Sequence, residues 1–408
     1  MSKRVVITGM GGLSPIGNDW ITVKDHLING KNGICFMEGW NEYDGLCTRL
    51  GAPILPYDLP LHFTRKRIRS MGNVALYATL ASELALIDSR LLGNEIIVSG
   101  QTGIAYGSSS GTPKSIGDFG NMLINKTTDG INANSYIKMM PHTTTSNIGV
   151  FFGITGRIIP SSTACTSGSI SIGYAYETIK NEKQIVMLAG GAEELSATQA
   201  AVFDTLYATE TDNENPSQCP KPFDIERNGL VVGEGAATLI LEEYEHAVER
   251  GAHIYAEVLG FGTNSDGFHV TQPKQRTMEI AMELALEDAC ISPENIDYIN
   301  GHGTATTSGD IAESQATFSV FGGNVPFSAL KGYIGHTLGA AGAIEAWMSI
   351  KMLNESWFSS NLNLKNLDEK CAKLNYIEEE PLKLDAQIIM SNNFAFGGVN
   401  TSLIFKKL

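Results

Sequence analysis

Ser161-Ser162-Thr163-Ala164-Cys165-Thr166-Ser167-Gly168 is the stretch on which the reading of this 408-residue chain turns. It runs on into Ser-Ile-Ser-Ile-Gly-Tyr-Ala-Tyr-Glu-Thr-Ile-Lys, where Ile170, Ile172, Tyr174, Ala175 and Ile179 suit a buried helix better than a strand. Thr163 and Thr166 are candidate caps for its start. Cys165 then falls in the first turn, where unpaired N–H groups and the helix dipole favour an anion. A free thiol titrates near ~8.5, and a helix N-terminus lowers that value and makes a nucleophile. The competing reading is an inert core cysteine among small residues.

Two histidines shift the balance. His302 lies in Asn-Gly-His-Gly-Thr-Ala-Thr (300–306), after a strand expected over 296–299. His336 lies in Lys-Gly-Tyr-Ile-Gly-His-Thr-Leu-Gly-Ala-Ala-Gly (331–342). Glycines beside each ring permit close approach by backbone or ligand. One cysteine and two such histidines, each at a loop-to-helix junction, point to a catalytic set.

With these blocks the chain resembles the thiolase-fold condensing enzymes, specifically β-ketoacyl-acyl-carrier-protein synthases of the Cys-His-His kind. The resemblance spans the chain. It begins at Val5-Val6-Ile7-Thr8-Gly9-Met10-Gly11, passes through Lys221-Pro222-Phe223-Asp224 and Gly233-Glu234-Gly235, and ends at Ser391-Asn392-Asn393-Phe394-Ala395-Phe396-Gly397-Gly398-Val399-Asn400. It implies an α/β fold with a duplicated five-layer α-β-α-β-α core, divided into halves 1–250, carrying the cysteine, and 251–408, carrying both histidines.

The resemblance also assigns roles. Cys165 is the acyl-carrying nucleophile. His302 and His336, as neutral imidazoles, stabilise the enolate left when malonyl-carrier protein loses CO2. Lys331 and Glu313 form an ion pair that fixes His336 and its loop. The N–H groups of Cys165 and Phe396 make an oxyanion hole, and Phe396 gates an acyl pocket that also contains Phe203. Thr304, Thr306, His269 and Thr271 contact the phosphopantetheine arm. No metal or bound cofactor is implied, because the pantetheine arrives on the carrier protein. The basic run Phe63-Thr64-Arg65-Lys66-Arg67-Ile68-Arg69 matches a helix that docks that carrier, giving Arg65, Lys66, Arg67 and Arg69 as docking residues. From charge alone the run is equally a solvated helix face.

Composition agrees with a cytoplasmic enzyme. A net charge of −15 argues against nucleic acid and anionic membrane as partners. There is no signal-peptide pattern or long apolar stretch. The six cysteines show no CxxC spacing and read as reduced thiols, neither a disulfide framework nor a zinc site. Strands are expected near 4–10, 102–107, 186–190, 236–242, 254–262, 296–300, 325–328, 387–391 and 401–406. Helices are expected near 18–29, 71–87, 143–152, 166–181, 197–207, 276–290, 310–320, 337–353 and 363–367. The stretch 112–140 reads as irregular. There is a faint internal echo. Cys165 and His336 each precede a helix after a small-residue loop, and each half ends in a strand after a Gly-rich turn.

Rival motifs fail or are incomplete. After Gly9-Met10-Gly11 the third glycine of a dinucleotide fingerprint should stand at 14, which is Ser14. No Gly-Lys-Ser/Thr follows Gly107–Gly111, so there is no P-loop. Gly107-Ser108-Ser109-Ser110-Gly111 does match a G-x-S-x-G elbow, which would make Ser109 the nucleophile of a serine hydrolase with a later Asp and His302. That reading leaves Cys165, His336 and Lys331 unexplained. A purely accessory role, as chain-length partner of another synthase, belongs to relatives that have lost the cysteine.

Departures from the family pattern bear on the substrate. Ala395 replaces the usual glycine before the gate Phe396, Lys221 replaces an arginine, and the loop after Thr271 is slightly short. The segment 203–209 resembles ketosynthases of bacterial aryl-polyene-type pathways. The resemblance therefore leaves open fatty-acid or polyene/polyketide elongation, and a homodimer or a heterodimer with a cysteine-less chain-length factor.

Overall fold

A computed structural model describes residues 2–408. The first half supplies strands β1 (Val5–Leu13), β2 (Thr102–Gly107), β3 (Ile158–Ser161), β4 (Val186–Glu193) and β5 (Gly235–Glu243). The second supplies β6 (Ala256–Ser265), β7 (Tyr298–Gly301), β8 (Pro326–Ala329), β9 (Ile388–Phe394) and β10 (Val399–Lys406). In the first set the order is β1-β5-β4-β2-β3, paired antiparallel, antiparallel, parallel, parallel. The second set, β6-β10-β9-β7-β8, repeats both order and pairing. The two sets join where Val6 and Ile7 pair with Glu257 and Ala256.

The helices repeat as well. α1 (Asn73–Asp88), α2 (Thr143–Phe152) and α3 (Ser167–Lys180) correspond in order to α4 (Gln275–Ala289), α5 (Thr307–Phe321) and α6 (Ala341–Asn354). α1 and α2 cover one sheet, α4 with α5 beside it covers the other, and α3 and α6 pack together between them. This is the five-layer α-β-α-β-α architecture that the resemblance implies. The faint sequence echo has a concrete form: α3 and α6 are equivalent helices, and β5 and β10 are equivalent strands. Among the described residues no helix is long and apolar enough to cross a membrane.

α6 shows why the middle layer is buried. It is apolar nearly all round, and every residue but Lys351 and Asn354 is buried, as expected of a helix with neighbours on all sides. Small residues let it approach α3. A Cβ added to Gly168 would lie 2.8 Å from Ala343 N, and one on Gly342 would lie 2.7 Å from Ser169 N. A Cβ on Gly191 of β4 would lie 2.2 Å from Gly339 O. This contact holds the Cys165 turn against the His336 loop.

Three expectations are corrected. The stretch 112–140 is not irregular but carries helices Pro113–Asn125 and Ala133–Met139, with Phe119 edge-on to Tyr136 at 6.2 Å. Pro113 at the first turn and an Asn132–Ser135 capping box start them; their Asn, Gly and Lys content obscured those signals. No helix forms at 363–367. Asn363 has φ 70°, and the N–H groups of Lys365 and Asn366 both donate to Asp224 Oδ2 at 2.7 Å. Strand β3 was not expected, because it is only four residues long and partly exposed.

The α3–α6 approach gives a stability test. Gly342→Ala should cost about 1–3 kcal/mol through forced overpacking, read as a lower urea midpoint. Gly117→Ala, in helix Pro113–Asn125 with nothing within 4 Å of the new Cβ, should be neutral or stabilising.

Candidate active site

Cys165 occupies a 3₁₀ turn, Ala164–Thr166, between β3 and α3. Ala164 takes a left-handed φ of 52°, an arrangement that costs a non-glycine residue energy and concentrates at functional turns. Neither Thr163 nor Thr166 caps α3 through its side chain, contrary to the sequence expectation. The tight turn instead points Thr166 Oγ1 back to Thr163 O (2.8 Å), and Ser167 Oγ accepts from Thr163 N (3.0 Å). The expected lowering of the thiol pKa is also reversed. Burial pushes Cys165 up to about 11, although the N–H of Phe396, the Lys331 charge and its own N–H favour the thiolate. Desolvation of a fully enclosed sulfur outweighs the helix terminus.

His336 Nε2 lies 3.0 Å from Cys165 Sγ, and its Nδ1 accepts from Leu338 N at 3.3 Å. Lys331 Nζ donates to His302 Nδ1 at 3.0 Å, and His302 Nε2 is buried without a partner. In both rings Nδ1 faces a donor, which places the remaining proton on Nε2. Burial, with the positive charge of Lys331, holds both rings well below the ordinary imidazole range. The rings meet edge to face with centroids 5.1 Å apart. Two neutral Nε2–H donors thus converge beside one buried sulfur. Cys165, His302 and His336 have ligand atoms within 4.8 Å of one another, but in these tautomers the set presents N–H donors where a metal needs lone pairs.

The Lys331–Glu313 pair expected to fix His336 is not the one that forms. Lys331 is buried, donates to Glu345 Oε1 at 2.5 Å and to His302 O at 2.6 Å, and so orients His302. Glu313 is occupied by the backbone of the same loop, accepting from His302 N at 2.5 Å and Gly303 N at 2.7 Å. Burial raises its carboxyl to about 8, with those N–H groups opposing. Glu345, missed at the sequence level, also accepts from Asn393 Nδ2 at 2.6 Å. Its signal was a lone acidic residue in the otherwise apolar α6, which a buried position requires to be paired.

A cavity opens onto this centre. Cys165, His302, His336, Glu313, Phe203, Phe396, Thr304, Thr306, His269 and Thr271 all line it. Phe203 and Phe396 meet edge to face at 6.0 Å. Thr304 and Thr306 hydroxyls lie 2.9 Å apart, and His269 Nδ1 accepts from Thr271 N at 3.1 Å. Ala395 keeps an ordinary φ while Gly397 (97°) and Gly398 (76°) take the left-handed positions, so alanine is unstrained here. Gly397 N donates to Val270 O at 2.8 Å, tying the gate loop to the opposite wall. Lys331 stands behind His302, away from the cavity lining.

The Gly107–Gly111 elbow has another occupation. The carboxylate of Glu193, fully buried, accepts from Ser109 N (2.9 Å), Ser110 Oγ (3.0 Å) and, across the halves, Gly339 N (2.9 Å). Ser109 has no histidine partner, so the hydrolase arrangement is not built. In the basic run, Arg65, Lys66, Arg67 and Arg69 are all exposed. Arg67 is committed, with its guanidinium 3.8 Å over the Phe151 ring and donating to Phe151 O at 2.8 Å.

Comparisons with known proteins agree with this geometry. Residues 2–247 match the family model "Beta-ketoacyl synthase, N-terminal domain" and residues 255–365 match "Beta-ketoacyl synthase, C-terminal domain". The chain is 36% identical to the 3-oxoacyl-[acyl-carrier-protein] synthase 2 of Vibrio cholerae, covering all of both sequences. It is similar to a crystal structure of a β-ketoacyl synthase from Burkholderia phymatum, at 55% identity and a TM-score of 0.98 over all of both chains. It is also similar to a Xenorhabdus doucetiae ketosynthase in complex with its chain length factor, at 26% identity and a TM-score of 0.85, over 100% of this chain and 98% of the other.

The tautomer assignment is open to measurement. In ¹⁵N NMR of labelled protein, His302 and His336 should keep Nε2–H signals unchanged as pH falls through the ordinary imidazole range near ~6.5. In Lys331→Met, His302 should lose its fixed tautomer, while His336, held by Leu338 N, keeps its own.

Proposed function

The chain belongs to the β-ketoacyl synthase family, and from that premise we propose the division of labour among its residues. The reaction is a decarboxylative Claisen condensation on acyl-carrier-protein thioesters, part of fatty-acid or polyketide chain elongation. The observation that carries the reading is the convergence of two neutral Nε2–H donors on the cavity beside the buried Cys165.

Acyl transfer comes first. Cys165 Sγ attacks the carrier thioester carbonyl, the bond to the pantetheine sulfur breaks, and the thiol proton leaves with the pantetheine thiol. Thioester exchange is close to balanced in energy, so the site needs mainly to present a thiolate. The Nε2–H of His336 and the N–H groups of Phe396 and Cys165 favour it. The same two backbone groups serve the carbonyl oxygen as its charge develops. A malonyl thioester then binds, its pantetheine arm against Thr304, Thr306, His269 and Thr271. The bond to its carboxylate breaks and CO2 leaves. The electron pair passes to the thioester oxygen, which accepts from His302 and His336. Donors already in place cost no reorganisation at that moment. The enolate carbon then attacks the acyl carbonyl, and the bond to Cys165 breaks to restore the thiolate. Lys331 maintains the His302 tautomer, and Glu313 holds that ring's backbone.

The carrier protein is the delivering partner, and the phosphopantetheine it brings is the only prosthetic group the scheme needs. The halves 1–250 and 251–408 act as the two thiolase-like units, meeting at the α3–α6 contact. The second chain of the dimer joins at β3, whose outer edge has no partner strand in the sheet and whose Ile158 is exposed. That chain is a second copy or a cysteine-less chain-length factor. A homodimer that elongates saturated chains at full rate would select the fatty-acid role. Activity only on co-expression with a cysteine-less homologue would select the polyene role.

Cys165→Ala should abolish acylation, read by intact mass as no added acyl group. His302→Ala and His336→Ala should still acylate but release CO2 slower by on the order of 10²–10³. Decarboxylation near the wild-type rate in His302→Ala would refute the donor assignment, because His336 and not that ring is hydrogen-bonded to the sulfur.

A further inference from the structure

Helix Ala197–Asp204 carries a buried polar side chain whose hydrogen bonds do not close. Phe203, on its last turn, lines the active-site cavity. Gln199 stands four residues earlier, on the same face and about 5.4 Å along the helix axis. The surroundings are apolar: Cys165, Ala197 and Ala200 share one cluster, against which Phe203 packs. Gln199 is only 7% exposed. Its Nε2 donates to Ser110 Oγ at 3.0 Å and to Glu193 Oε1 at 3.1 Å. The Ser110 hydroxyl in turn donates to Glu193 Oε1 at 3.0 Å, and Glu193 Oε2 accepts from Ser109 N and Gly339 N, each at 2.9 Å. This pattern fixes the amide's orientation, because turning it over would set its oxygen against a carboxylate. Gln199 Oε1 is left buried with no partner among the described residues. The network lies near the nucleophile: burial is the main influence raising the Cys165 thiol, and the Glu193 charge adds to it.

We propose that Gln199 Oε1 is the acceptor for a hydroxyl at the distal end of the acyl chain, so that the pocket selects chains ending in an O–H donor over chains ending in a methyl group. The inference rests on the function above, in which the acyl group is carried by Cys165 and runs past Phe203. Buried acceptors are nearly always paired, and leaving one unpaired is costly. Every other donor and acceptor of this network is satisfied within it, so the missing partner is a donor. An anionic chain end is refused, because it would face both the Gln199 carbonyl and the nearby Glu193 carboxylate. A single water is a poor substitute, since it needs two to four polar partners and the network's other polar groups are taken. A hydroxyl on the chain needs only the one acceptor and arrives already tethered. A methyl end at the same place gives the carbonyl nothing in return, which is how a site built for a hydroxyl rejects the analogue lacking it.

Competition reads this directly. Wild-type protein is offered pairs of acyl-pantetheine thioesters, one ending in a hydroxyl and one in a methyl group with the same number of chain atoms, over a graded series of lengths. Intact mass then gives the ratio of the two acyl groups on Cys165. The hydroxyl-ended chain should win about tenfold at the length that reaches Gln199, and lose at shorter lengths, where its hydroxyl lies among apolar side chains without a partner. In Gln199→Met, which keeps the length of the side chain but has no carbonyl acceptor, that preference should disappear. A wild type that shows no preference, or favours the methyl-ended chain at every length, overturns the proposal and leaves Oε1 to a buried water. A preference that persists in Gln199→Met overturns it as well. Should Gln199→Met fail to fold, the wild-type series decides alone. Absence of acylation of wild-type Cys165 by any thioester would count against the functional reading itself, and the Kd of the same pairs for Cys165→Ala, by calorimetry, would still show whether the pocket prefers a hydroxyl.

Discussion

Everything at the centre of this molecule depends on how closely α3 and α6 approach. Gly168 and Ser169 meet Gly342 and Ala343 with no room for another carbon atom. Packing at interior density leaves few positions free to adjust, so the approach fixes the turns that precede the two helices. One turn carries Cys165 and the other carries His336, and their reactive atoms come to 3.0 Å. The catalytic pair is a consequence of small residues at equivalent places in a repeated unit.

On this frame a buried charge does a second job. The Lys331 ammonium is enclosed and would be costly alone. It is compensated by Glu345 and by the carbonyl of His302, and its remaining reach goes to His302 Nδ1. A cation that donates to Nδ1 at the edge of an imidazole keeps the ring neutral and leaves its proton on Nε2, toward the cavity. Glu193 plays a related part from the first half, gathering the Ser109–Ser110 turn and Gly339 on one buried carboxylate. Glu193 bridges the halves through Gly339, and Lys331 ties His302 to α6 within the second half, so displacing either charge would disturb the site.

The cysteine shows how magnitudes decide between opposed effects. A helix start and nearby N–H groups favour the thiolate, and burial disfavours it. In this conformation burial prevails and the thiol rests protonated. An enclosed thiol is protected from oxidation and stray electrophiles, and it becomes reactive when a substrate carbonyl arrives between sulfur and donors already in position.

Residue identity and spacing were sufficient for the α/β class and for Cys165, His302 and His336 as one set, while the gate and threonine residues that line the cavity followed from the family resemblance. Such residues stand in short motifs whose chemistry is local: glycine for close approach, small residues before a helix, an imidazole between glycines. The α3 helix was legible from its closely spaced inward apolar residues, and α6 because burial almost throughout writes a nearly continuous apolar run. What the chain could not disclose is set by partners distant in sequence. Lys331 chose Glu345 over Glu313, because Glu313 was already taken by backbone N–H groups and Glu345 faces inward from α6. Helices Pro113–Asn125 and Ala133–Met139 were hidden because their Asn, Gly and Lys residues read as loop. The protonation of Cys165 could not be read either, since desolvation is a property of everything packed around an atom, and only the folded chain supplies those surroundings.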